Sequence, residues 1–83
     1  MIVLNKYPKL DVHGETTDTI VFILEDFIND NLKMKNEYIV IIHGKGSGKL
    51  KNRVHELLKQ NKNVEKYELD IANLGQTLIK LKK

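Results

Sequence analysis

The sequence predicts an α/β fold of the two-layer α+β kind, ordered β-α-β-α-β-β, with a four-stranded mixed sheet and two helices on one face. Three observations carry this prediction. Two strand-like segments, Leu10-Asp11-Val12-His13-Gly14 and Ile39-Val40-Ile41-Ile42-His43-Gly44, end in the same two residues, and each runs at once into a segment with helical apolar spacing. Strand–helix–strand connections of this length give parallel strands, and right-handed crossovers put both helices on the same side of the sheet. After the second helix, two more strand-like stretches flank Gly75.

The elements follow in order. Met1 to Asn5 reads as a short strand or an extended arm, and Pro8 biases Tyr7 to an extended form. Lys9 to His13 alternates, with Leu10 and Val12 turned one way and Asp11 and His13 the other. Gly14-Glu15-Thr16 is a turn, with Thr16 as helix N-cap and Asp18 in the first turn, where an acid suits the dipole. Ile20, Ile23, Leu24, Phe27 and Ile28 make one apolar stripe, so a helix is expected from about Thr17 to Leu32, with Asn31 and Asn36 at its exit. Tyr38 to Ile42 is a β-branched run of the kind a central strand needs. Leu50, Val54, Leu57 and Leu58 predict a second helix to about Gln60, on which His55 is expected at the surface. Val64 to Ile71 alternates as a third strand, with Tyr67 and Leu69 of opposite parity to Val64, and Thr77 to Leu81 is the last strand.

The bulk numbers bound the function. With 83 residues, one domain is expected over 1–83, its core about 9–81, with 1–8 as an N-terminal strand or arm. Apolar residues are 41% and charged residues 30%, which suits a folded chain rather than a disordered one. There is no cysteine, which fits a reducing compartment, and no apolar run approaches the ~20 residues of a membrane helix. Met1-Ile2-Val3-Leu4 lacks the basic stretch and length of a signal peptide. A cytoplasmic protein with no membrane association is expected. Net charge is only +3, but it is unevenly placed. Asp11 to Asp30 holds Asp11, Glu15, Asp18, Glu25, Asp26 and Asp30 without a Lys or Arg. Lys45 to Lys66 holds Lys45, Lys49, Lys51, Arg53, Lys59, Lys62 and Lys66 against Glu56 and Glu65. The basic half starts at a glycine-rich loop, which on charge alone fits a polyanion such as nucleic acid and equally a solubilising surface.

That loop is Gly44-Lys45-Gly46-Ser47-Gly48-Lys49. Its glycines permit positive φ and close approach, and it feeds a helix N-terminus, whose free N–H groups suit a phosphate. It is not a Walker loop, which would need Gly at 43 and Ser or Thr at 50, where the chain has His43 and Leu50. Nor is it a dinucleotide fingerprint, because Lys49 stands at the third glycine. ATPase and dinucleotide functions are thereby disfavoured. The bland alternative is a flexible connection with solvated lysines. Asp11 and His13, two apart on a strand, share a face and can do acid–base work, activating water or a 2′-hydroxyl and protonating a leaving group. They can also hold one divalent cation, Mg²⁺ or Mn²⁺, though two ligands are few for a dedicated site. His43 is a third catalytic group, a phosphate contact or an imidazole bonded to loop backbone. Tyr7, Tyr38 and Tyr67 can stack on bases but are more ordinarily packing residues.

These residues resemble the Smr (small MutS-related) domain. Leu10-Asp11-Val12-His13-Gly14 is similar to that family's LDxHG motif, and His43-Gly44-Lys45-Gly46-Ser47-Gly48 to its HGxGxG loop, with Leu50 and Val54 at the expected positions beyond. The resemblance covers about residues 9 to 81 and identifies the chain as a minimal, stand-alone member. It implies a fold similar to the C-terminal domain of a bacterial translation initiation factor. It also implies nucleic-acid binding and, in many members, endonuclease activity: DNA nicking or RNA cleavage, sometimes on stalled ribosomes. Carried over, Asp11 and His13 are the catalytic candidates and the Gly44 to Gly48 loop is the nucleic-acid contact; His43 joins the catalytic candidates on its own chemistry. The phosphate contacts would come from Gly44, Lys45, Gly46, Ser47, Gly48, Lys49, Lys51 and Arg53. Lys51 stands where the family commonly has an arginine, keeping charge without the bidentate fork. The turn before the last strand, Ala72 to Thr77, keeps only Gly75 and Thr77 of the family's GGxG-type pattern. A non-catalytic DNA-, RNA- or ribosome-binding module is the alternative expectation.

Overall fold

The computed structural model describes residues 6–82; the arm expected at Met1 to Asn5 lies outside them. The elements are β1 (Lys9–Asp11), α1 (Ile20–Lys33), β2 (Tyr38–Ile42), α2 (Lys49–Gln60), β3 (Val64–Leu69) and β4 (Gln76–Leu81). The sheet order is β1-β2-β4-β3. β1 and β2 are parallel, with Asp11 level with Ile42, while β4 runs antiparallel to both β2 and β3. The expected order and the mixed sheet are both present.

The core is a single apolar layer between sheet and helices. Ile20, Leu24 and Ile28 of α1 and Val54 and Leu58 of α2 pack with Val12, Ile39, Ile41, Val64, Ile79 and Leu81, all essentially solvent-free. The opposite sheet face is less bare than a two-layer sandwich implies. Val40 and Leu78 point there and are buried, and Tyr7 and Tyr38 pack at 5.2 Å between ring centroids. Among the described residues, no helix is long and apolar enough to cross a membrane.

Element ends depart from sequence spacing for local reasons. The regular part of α1 starts at Ile20, not Thr17, yet its first turn is tied from Thr16. The Thr16 hydroxyl accepts the Thr19 N–H (3.0 Å), the Thr19 hydroxyl accepts the Thr16 N–H (3.1 Å), and the Thr16 carbonyl accepts the Ile20 N–H. The N-cap of α1 is thus Thr19 rather than the expected Thr16, and Thr16 braces the turn that leads into it. At the other end, Asn31 is buried; its Nδ2 donates to the Phe27 carbonyl and its Oδ1 accepts from Asn36 Nδ2, both at 2.8 Å. β3 stops at Leu69 rather than Ile71, because Asp70 Oδ1 accepts the Ala72 N–H and seeds a turn. A register shift between Val64 and Lys66 lets Val64 and Tyr67 both face the core despite their opposite parity.

Gly48, just before α2, has φ +85°, a left-handed conformation that an L side chain adopts at a cost of about 1–2 kcal/mol. A Cβ there meets nothing within 4 Å, so the penalty is purely conformational. Gly48→Ala is expected to lower the thermal midpoint by several degrees, by about 4–8 °C per kcal/mol for a domain this size. Gly46→Ala, where φ is not positive and space is open, is expected to be near neutral. Circular dichroism melts of the two variants check the contrast.

Candidate nucleic-acid site

The parallel pairing of β1 and β2 brings both His-Gly ends to one edge of the sheet. The ladder continues past Asp11, with the Val12 N–H donating to the Ile42 carbonyl at 2.8 Å. A Cβ built on Gly44 would lie 3.6 Å from His13 Cβ, so the first edge stands directly beside the glycine loop. Between them opens a cleft of about 490 Å³, floored by Gly14 to Thr17 on one side and His43, Gly44 and Gly46 to Lys51 on the other. This is the carboxyl edge where open α/β sheets place their sites.

Asp11 and His13 form a pair at the rim. Asp11 Oδ1 accepts from His13 Nδ1 at 2.5 Å and from the His13 backbone N–H at 3.1 Å. Because a carboxylate only accepts, Nδ1 carries the ring proton, and Nε2 is left with a lone pair in the neutral ring. Both side chains are well exposed. The hydrogen bond to Asp11, reinforced by its charge, raises the His13 pKa above its ordinary 6.5. The same bond, with the backbone bond from His13, lowers that of Asp11. The expected shared face is therefore a made contact.

His43 is placed differently. It is 4% exposed, and both ring nitrogens are engaged. Nδ1 donates to the Gly44 carbonyl at 3.0 Å, and Nε2 meets the Thr77 hydroxyl at 2.8 Å. Of the expected roles, this arrangement is the loop-bonding one. The backbone N–H groups of His43 and Gly44 both donate to the Gly75 carbonyl at 2.9 Å, which clips the loop to the β3–β4 turn. A Cβ on Gly75 would lie 3.2 Å from Asn73 Oδ1, 3.4 Å from Lys45 Cγ and 3.5 Å from the Gly44 carbonyl carbon, so the turn sits close against the loop.

The basic residues do not all converge. Lys49 and Lys51 line the cleft. Lys45 is exposed and leans over Gly75 instead. Arg53, expected among the phosphate contacts, is turned elsewhere: it pairs with Glu56 one turn along α2, and its Nε donates to the Thr17 carbonyl at 3.4 Å. Glu56, at i+3 on the helix, competes directly for the guanidinium, and the Thr17 carbonyl holds it from outside α2.

Sequence reasoning missed His55. Expected at the surface, it is half-buried, its Nε2 lies 2.7 Å from the Thr77 hydroxyl, and its ring packs edge-on to Tyr67 at 5.1 Å. The available signal was Thr77, which falls on the core face of β4 with Ile79 and Leu81. A buried hydroxyl there must find partners.

For a metal, the donor set is small. Among the described residues, no group of three His, Cys, Asp or Glu is placed to hold an ion. Asp11 Oδ2 and His13 Nε2 stay outside the bond the two residues share, but two donors are too few for a dedicated cage.

Comparisons with known proteins give the family and the fold. The Smr domain family model matches residues 10–82. Endonuclease MutS2 from Geobacillus sp. (strain WCH70) is 36% identical over 77 residues, covering 89% of this chain and 10% of that protein. Endonuclease MutS2 from Helicobacter pylori (strain ATCC 700392 / 26695) is 36% identical over 75 residues, covering 90% and 10%. The chain thus spans about a tenth of the length of the curated relatives it matches. The Smr domain of Thermus thermophilus MutS2 superposes with a TM-score of 0.88 at 22% identity, covering 92% of this chain and 99% of that one. YdaL, a stand-alone small MutS-related protein from Escherichia coli, gives 0.84 at 22% identity, covering 93% and 68%. At that identity these two structures establish the fold.

Proposed function

We propose that this chain, which belongs to the Smr domain family, is a nucleic-acid endonuclease in which Asp11 and His13 cut a phosphodiester held against the glycine loop. The single observation that carries this is the 2.5 Å bond from His13 Nδ1 to Asp11 at the rim of the basic cleft. A carboxylate on Nδ1 fixes the tautomer and leaves Nε2 as the working nitrogen. His13 Nε2 takes the proton of the attacking oxygen, from water or a 2′-hydroxyl. That oxygen bonds to phosphorus as the bond to the leaving sugar oxygen breaks; the leaving oxygen takes a proton from water, and the His13 imidazolium gives its own back to solvent. Asp11 stabilises the imidazolium in between. Loop N–H groups, with Lys49 and Lys51, offset the charge that develops on the phosphate. A cytoplasmic setting fits the cysteine-free composition, and either a DNA or an RNA phosphodiester fits the acid–base pair; these are part of the proposal.

The test is cleavage of supercoiled plasmid and of labelled single-stranded RNA, each with Mg²⁺, Mn²⁺ or EDTA, followed against pH. As base, His13 works only when deprotonated. Activity is therefore expected to rise with pH through a midpoint above the ordinary histidine value of 6.5, because Asp11 raises the His13 pKa. Asp11→Asn removes both the charge and the accepting carboxylate, so the residual activity should show its midpoint moved down. A midpoint that ignores Asp11→Asn would remove His13 from the role. Absent cleavage with salt-sensitive binding retained would favour the non-catalytic binding module.

A further inference from the structure

We propose that His55 and Thr77 are positioning residues for the phosphate-binding loop, acting through His43 to fix the Gly44–Lys45 peptide at its start. This rests on the reading of that loop as the phosphate contact.

Donor and acceptor logic gives the network one direction. The Gly44 carbonyl can only accept, so His43 Nδ1 carries a proton. In the neutral ring His43 Nε2 is then an acceptor, and the Thr77 hydroxyl must donate to it at 2.8 Å. Having given its one proton to His43, Thr77 accepts from His55 Nε2 at 2.7 Å. The chain runs from His55 through Thr77 and His43 to the Gly44 carbonyl. Burial lowers the pKa of both histidines, and Lys51 adds to this in each, which keeps the rings neutral as the direction requires. No described buried side-chain polar atom is left without a partner.

The consequence lies in one peptide plane. In a trans peptide the carbonyl and the next N–H point in opposite directions. His43 holds the Gly44 carbonyl on its own, buried side. The N–H of Lys45, in the same plane, is therefore turned away from His43. Gly75 fixes the preceding peptides by taking the His43 and Gly44 N–H groups. Gly44 itself has φ +81°, so the loop has a conformation that must be held against alternatives. His55 lies on α2 and Thr77 on β4, so the two elements that flank the loop set its orientation together. Neither residue touches the cleft.

The experiment uses ¹⁵N-labelled chain. The ring nitrogens of His43 should report Nδ1–H with Nε2 accepting, and those of His55 should report Nε2–H. Thr77→Val keeps the shape but removes the hydroxyl. It is expected to shift the Lys45 and Gly46 amide resonances, to change the His43 ring signals, and to raise KM for an oligonucleotide about tenfold, the size of one hydrogen bond. The turnover of bound substrate should change little. Thr77→Ser should restore all three readings. His55→Phe, which keeps a ring against Tyr67, should reproduce the Thr77→Val effect and serves should Thr77→Val fold poorly. A His43 ring carrying its proton on Nε2 would overturn the proposal, as would Lys45 amides unmoved in both variants. Should the wild-type chain neither bind nor cut nucleic acid, the endonuclease reading fails, while the ring and amide signals still decide whether the network orients the loop.

Discussion

Asp11→Ala is expected to reduce phosphodiester cleavage by about 10²–10⁴-fold, the usual contribution of a positioned acid–base group, while leaving affinity for the uncut strand unchanged or slightly higher. The asymmetry follows from what Asp11 does. It accepts the His13 Nδ1–H and backbone N–H, and it does not line the cleft. Without it the imidazole loses its fixed tautomer and its raised pKa, and the proton-transfer step suffers. The loop amides and lysines that would hold the phosphate are untouched, and one negative charge near a polyanion has gone. His13→Ala is expected to match Asp11→Ala in rate, and the double variant to be little worse than either, because the two act as a unit. Single-turnover cleavage alongside filter binding separates the two effects. Equal cleavage by wild type and variants would point to a contaminating nuclease.

Replacing Lys45, Lys49 and Lys51 together by Gln is expected to do the reverse, weakening binding more than the chemical step. Each lysine that neutralises a duplex phosphate contributes ~0.9 to the slope of log affinity against log salt. Loss of three such contacts would flatten the slope by up to ~2.7 and lower affinity up to ~10²–10³-fold at ~0.1 M salt. The geometry divides the effect unevenly. Lys49 and Lys51 line the cleft, and Lys45 leans over the β3–β4 turn, so the first two should carry most of the change. Arg53→Gln should change binding little, because its guanidinium is engaged by Glu56 and the Thr17 carbonyl. Affinity measured across a salt series for each variant checks the ranking. An Arg53 effect as large as that of Lys49 would mean that the polymer runs along α2 rather than into the cleft.

The parts of this site that the sequence made legible are those governed by backbone periodicity. Two residues apart on a strand means one shared face, and Asp11 and His13 do meet. Two strands closing in His-Gly and joined through a helix had to run parallel, and β1 and β2 do. The glycine loop could be placed because it sits between a β-branched run and a helical stripe. What stayed hidden depends on side chains reaching across elements. His55 lies beside the Leu50, Val54, Leu57 and Leu58 stripe and reads as surface by helical phase, yet it bonds to a residue on β4. Arg53 counts as basic in the sequence but is held locally. Period-two counting put Val64 and Tyr67 on opposite faces, and a register shift put them on the same one. His43 shows both sides of this. Its motif marked it as important, but only its burial and its two partners show that it serves the loop backbone.

The central claim is that a nucleic-acid phosphate sits in the cleft between the first and second His-Gly edges, against the Asp11–His13 pair. It is tested most directly by titrating ¹⁵N-labelled Asp11→Ala chain, which should bind without cutting, with a short single-stranded RNA and a short DNA duplex at low salt. The account predicts resonance shifts concentrated at His13 to Thr17 and Gly44 to Lys51, including the His13 ring, and fading with added salt. Shifts centred instead on Tyr38, Leu78 and Lys80, on the sheet face away from the helices, would contradict it.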